Sequence, residues 1–95
     1  MKLLGRDKVA AFTKGYPDSE SSLNAWAQNI ERNEFRHFHD LRNTFRSADY
    51  VKPYTVFEIA GNKYRLISIV EYTLKTVFVK EILKHQEYEK GKWRK

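Results

Sequence analysis

The chain contains no cysteine. That excludes both a disulfide framework and a thiolate zinc site, and it suits a reducing compartment, so the cytoplasm is the expected location. No stretch approaches the roughly twenty consecutive apolar residues that span a bilayer. The opening Met1-Lys2-Leu3-Leu4-Gly5-Arg6 also lacks the apolar centre of a leader peptide, so neither membrane insertion nor export is expected. Glycine is scarce, with four scattered residues, which leaves no Gly-rich phosphate loop and no nucleophile elbow. Of the three histidines, His37 and His39 are two apart, on different faces of a helix, with no third ligand evident nearby. No metal or other cofactor is expected.

What is present describes a globular domain. Hydrophobic residues make up 41% and charged residues 32%, interspersed and not in blocks, and 95 residues supply one modest core. Residues 1–95 therefore read as one domain. The net charge of +6 is uneven: residues 1–50 hold eight Lys or Arg against seven Asp or Glu, and residues 51–95 hold ten against five. Concentrated positive charge marks a phosphate-bearing partner, because phosphate contacts release condensed counterions; it also fits a merely soluble basic surface.

The apolar pattern changes period midway. Leu3 and Leu4 fit a short strand or an extended arm. Val9, Phe12 and Tyr16 recur at helical spacing up to Pro17, and Asp18 or Ser19 is placed to cap a second helix carrying the stripe Leu23, Trp26, Ala27, Ile30. Phe38, Leu41 and Phe45 suggest a shorter third helix. Val51-Lys52-Pro53 reads as a connection. Beyond it, Thr55 to Ile59, then Gly61-Asn62, then Tyr64 to Tyr72 read as a hairpin, and Thr76 to Leu83 as a strand covered on both faces. His85 to Gly91 fits a last helical turn. The expected fold is α+β, with N-terminal helices packed on a C-terminal antiparallel sheet.

The polar residues suited to phosphodiester chemistry lie on and beside those strands: Lys63, Arg65, Lys80, Lys84, His85, Glu87 and Tyr88. Cleaving RNA without a metal needs a base for the 2′-hydroxyl, a cation for the charge building on phosphorus, and an acid for the departing oxygen. His85 suits base or acid, ionised Glu87 suits base, and the planar Arg65 guanidinium suits the clamp. Lys63 and Arg65 share a face if the strand alternation holds across both. Duller readings stand beside these. Arg65 can be a cross-strand charge partner of Glu58 or Glu71. Tyr64, Tyr72, Phe78 and Trp26 read as core, and Trp93, in a Lys-rich tail without apolar neighbours, reads as part of a frayed end.

Two motifs carry a resemblance. Phe57-Glu58-Ile59-Ala60-Gly61-Asn62-Lys63-Tyr64-Arg65 is followed about twenty residues on by His85-Gln86-Glu87-Tyr88-Glu89. Together with the Tyr16-Pro17-Asp18 and Leu23-Asn24-Ala25-Trp26 segments, this resembles the HigB-type toxins of bacterial toxin-antitoxin pairs, in the RelE-like superfamily. The resemblance implies a sheet curved against the helices and a cytosolic endoribonuclease that cuts mRNA on the ribosome. It also implies silencing by a co-expressed helix-turn-helix antitoxin of HigA type. Arg65 matches the arginine that holds the scissile phosphate, and His85 and Tyr88 match the C-terminal polar motif, with Glu87 a further catalytic candidate. Lys63, Lys80 and Lys84 are the expected RNA contacts. Lys84 stands where the family pattern has threonine, and Glu89 where it has aspartate. The alternatives are a non-catalytic RNA- or ribosome-binding domain, using the same basic surface for affinity alone, and a DNA-binding regulator, for which no helix-turn-helix pair is evident.

Overall fold

In the computed structural model, which describes residues 1–94, helices precede the main run of strands. A short strand, β1 (Lys2–Leu4), leads into α1 (Arg6–Gly15), and a 3₁₀ turn at Pro17–Ser19 joins α1 to α2 (Glu20–Arg32), which α3 (Phe38–Thr44) follows. Then come β2 (Asp49–Val51), β3 (Tyr54–Ile59), β4 (Tyr64–Glu71) and β5 (Thr76–Lys84), and the described chain closes with α4 (His85–Glu89) and a 3₁₀ turn at Lys92–Arg94. The α+β order is the one read from the sequence.

The strongest helical stripe behaves as its spacing dictates: Leu23, Trp26, Ala27 and Ile30 are all buried on α2. Each large apolar side chain so removed from water contributes roughly 1.5–3 kcal/mol. The cap differs from expectation. Ser19 occupies the N-cap position, but its hydroxyl donates to the Tyr16 carbonyl at 2.7 Å, and Asp18 is used elsewhere.

The sheet has the order β1-β5-β4-β3-β2. Strands β2 to β5 form the antiparallel meander, while β1 adds a parallel edge beside β5, with Leu3 opposite Val77. A parallel neighbour needs a long crossover, and here everything from α1 to β4 intervenes. Gly5 makes the β1–α1 join possible. Its φ is +98°, and a Cβ there would lie 2.9 Å from the Val79 Cβ, closer than such atoms pack. Val51-Lys52-Pro53 is a hairpin turn and not a plain connection, because Val51 pairs with Tyr54 across a cis Lys52–Pro53 peptide.

Strand alternation divides the interior. Phe57, Ile59, Tyr64, Leu66, Val77 and Val79 meet α2 in the main core. Val56 and Ile67 point to the opposite face, where they join Val51, Tyr54, Leu83, Tyr88 and Trp93 in a smaller cluster. Two expectations fail there. Phe78 is 37% exposed, so β5 is not covered on both faces, and Trp93 is only 4% exposed. Through Arg94 the tail is docked, not frayed, and Lys95 lies outside the described residues.

Candidate active site

The smaller cluster ends in a cleft of about 300 Å³ lined by Arg65, Tyr88, Glu58, Asp49, Arg42, Ser47, Ala48 and Val56. Arg65 lies on β4 directly opposite Glu58 of β3 and is 8% exposed. Its guanidinium donates to the Tyr64 carbonyl at 3.2 Å, to the Asn62 carbonyl at 3.4 Å and to the Asn62 side-chain oxygen. The cross-strand charge pair does not form: among the described residues Arg65 makes no ion pair, and Glu71 lies at the far end of β4, opposite Thr76. The Arg65 guanidinium carbon lies 5.4 Å from the centre of the Tyr88 ring. Burial raises the Tyr88 phenol pKa above its usual 10.0, with Asp49 adding to the rise and Arg65 opposing it, so the phenol holds its proton at neutral pH.

A second, more open cleft of about 330 Å³ is lined by Asp18, Lys63, Tyr64, Lys84, His85 and Gln86. The Tyr64 hydroxyl donates to Asp18 at 2.8 Å, and the Lys63 ammonium pairs with the same carboxylate at 3.3 Å. Those hydrogen bonds hold the Asp18 pKa below its usual 3.8, and the bond to Asp18 raises that of Tyr64. His85 Nε2 lies 3.0 Å from Glu89, and its Nδ1 is buried without a partner among the described residues. The Lys84 ammonium lies 5.8 Å from the Tyr16 ring centre.

The sequence-derived residues are thus divided among three places. Arg65 and Tyr88 meet. Lys63 does not share their surface, because it sits in the turn before β4, where strand alternation does not apply, and turns to Asp18. His85 and Tyr88 fall on one short helix yet line different clefts. Glu87 accepts the Lys84 backbone N–H at 3.2 Å, capping α4, and lines a third pocket with Glu81 and Trp93. The Lys80 ammonium donates to the Tyr54 hydroxyl at 3.0 Å and to the Trp93 carbonyl at 2.6 Å, fastening the tail.

Three charged lining residues, Arg42, Asp49 and Glu58, are not among the sequence candidates. The hairpin register makes Glu58 the partner of Arg65, a signal readable in advance, whereas Arg42 and Asp49 arrive from α3 and β2 with no local mark. The cleft now combines carboxylates, two guanidinium groups and a protonated phenol, the groups that metal-free phosphodiester cleavage requires.

Comparison with known proteins gives the family. Residues 19–91 match the family model of the HigB toxin, described as the RelE-like toxic component of a toxin-antitoxin system. The chain is 25% identical over 92 residues to the mRNA interferase toxin HigB of Escherichia coli K12, covering 94% of this chain and 88% of that one. It is 26% identical over 93 residues to the mRNA interferase HigB of Escherichia coli O6:H1, covering 95% and 90%. The chain belongs to the HigB toxin family, the RelE-like toxic components of toxin-antitoxin systems, and membership implies a cognate antitoxin.

Proposed function

We propose that this protein is a cytoplasmic mRNA interferase that cuts mRNA on the ribosome without a metal and is silenced by a HigA-like helix-turn-helix antitoxin. The observation that carries the reading is Arg65: a buried guanidinium with no carboxylate partner among the described residues, set beside Tyr88 and Glu58 in one cleft. Burying an uncompensated charge costs stability, and such groups concentrate at working sites. Glu58 takes the 2′-hydroxyl proton, the 2′-oxygen attacks phosphorus, and the bond to the 5′-oxygen breaks. Arg65 and Arg42 hold the non-bridging oxygens, and Tyr88 protonates the departing 5′-oxygen. The products are a 2′,3′-cyclic phosphate and a 5′-hydroxyl. Lys63, Lys84 and His85 hold the flanking strand in the neighbouring cleft, and Glu87 acts through the cap of α4.

Induced expression in bacteria, followed by mapping of mRNA 5′ ends, tests this. New ends inside coding regions with the native chain, and none with Arg65→Ala, are expected. Continued growth with intact transcripts contradicts the reading and leaves an RNA- or ribosome-binding domain.

A further inference from the structure

We propose that Trp93 is a positioning residue of the Arg65 cleft, holding the Tyr88 ring against the guanidinium and making the C-terminal turn a working part of the site. The inference rests on the mRNA interferase reading. Tyr88 sits on α4, a helix of five residues, and a helix that short has no stability of its own. Something outside the helix must fix the phenol.

Trp93 does so from two directions. Its ring stacks on Tyr88 with centroids 5.0 Å apart and planes at 12°. Its indole N–H donates to the Tyr88 carbonyl at 2.9 Å, tying backbone as well as ring. The chain returns through Gly91, whose φ is +73° and whose N–H donates to the same carbonyl at 3.1 Å. On its other side Trp93 meets Tyr54 of β3 edge to face at 5.8 Å. Lys80 of β5 holds the Trp93 carbonyl, with its ammonium 4.3 Å from the Tyr54 ring centre. Arg65, Tyr88 and Trp93 therefore form one continuous stack, closed edge-on by Tyr54 and anchored on the sheet. No residue of that stack beyond Tyr88 borders the Arg65 cleft itself, so Trp93 acts only through Tyr88.

The test compares Trp93→Phe, which keeps a ring, with Trp93→Leu, which keeps apolar bulk without one, in the full chain. Three readouts are taken: the urea midpoint, single-turnover cleavage of ribosome-bound mRNA as a function of protein concentration, and titration of the Tyr88 phenol, assigned with Tyr88→Phe. The charged groups facing that phenol are Asp49 on β2, Arg65 on β4, Glu89 on α4 and Arg94 in the tail, and all stay unchanged. Trp93→Leu should remain folded while its maximal rate falls on the order of 100-fold, the penalty for a reacting group misplaced by about 1 Å. Half-saturation should barely move, and the phenol should titrate closer to 10.0 as water reaches it. Trp93→Phe should recover most of the rate. A folded Trp93→Leu variant with native rate and native phenol titration overturns the positioning role. A native chain that leaves RNA intact, while Trp93→Leu still shifts the phenol, overturns the interferase reading and not the stack.

Discussion

Replacing Arg65 by methionine separates a structural arginine from a working one. Methionine keeps the length of the side chain and its packing against Tyr88 but deletes the charge. The guanidinium makes three hydrogen bonds, to the Tyr64 and Asn62 carbonyls and to the Asn62 side chain. If each added the roughly 1.5–3 kcal/mol typical of a charged group, the loss would reach about 5 kcal/mol or more. Contact with the Tyr88 ring adds about 0.5–1 kcal/mol. Two effects oppose this. Among the described residues no carboxylate forms an ion pair with the cation to offset its desolvation, a cost of several kcal/mol for a buried ion. Asn62 is also exposed, so its freed oxygens meet water and are not left without partners. The net loss should be about 1 kcal/mol or less, read as a urea midpoint lower by no more than roughly 1 M with an unchanged slope. Cleavage should fall by about 10²–10³, the usual effect of removing a charge-stabilising donor. A loss of stability above about 3 kcal/mol, with cleavage intact in the folded fraction, would refute the reasoning and make Arg65 a structural residue.

Glu58 is exposed and makes no side-chain hydrogen bond or ion pair among the described residues, so Glu58→Gln should change stability by less than about 0.5 kcal/mol. Loss of the base should nonetheless slow cleavage by about 10²–10⁴, measured under single-turnover conditions. Gly5→Ala should cost about 2–3 kcal/mol in chemical denaturation, since it adds the left-handed backbone penalty to a 2.9 Å clash with Val79. Gly15→Ala, with nothing within 4 Å, should be neutral or slightly stabilising. The Asp18–Tyr64 bond gives a pH signature. Because the Asp18 pKa is lowered in the fold, its stabilisation is complete above the usual 3.8 and disappears as pH falls through the lowered value. Because the Tyr64 pKa is raised, the same bond is complete below 10.0 and disappears as pH rises through the raised value. Tyr64→Phe should flatten both flanks of the stability profile.

The helices and the meander were legible because their patterns are local: the α2 stripe needs only its own spacing, and the β3–β4 hairpin only Gly61-Asn62 between two β-branched runs. The parallel pairing of β1 was not legible. Three residues carry no period, and their partner β5 lies more than seventy positions away. Trp93 misled for a related reason, since its apolar neighbours are Tyr54, Tyr88 and the far side of the sheet, none of them adjacent in sequence. The site was half visible. The motifs mark Arg65 and Tyr88, and the structure brings them together. His85, Glu87 and Tyr88 turn to three different pockets around α4, a divergence that their closeness in sequence conceals.

Analysis of the product ends made by the purified chain on ribosome-bound mRNA, in the presence of a metal chelator, asks whether the Arg65 cleft cuts RNA in the way its groups allow. A 2′,3′-cyclic phosphate and a 5′-hydroxyl, formed at an undiminished rate with chelator and lost in Arg65→Met, are predicted. Ends bearing a 5′-phosphate, dependence on a divalent metal, or full cleavage by Arg65→Met would contradict it.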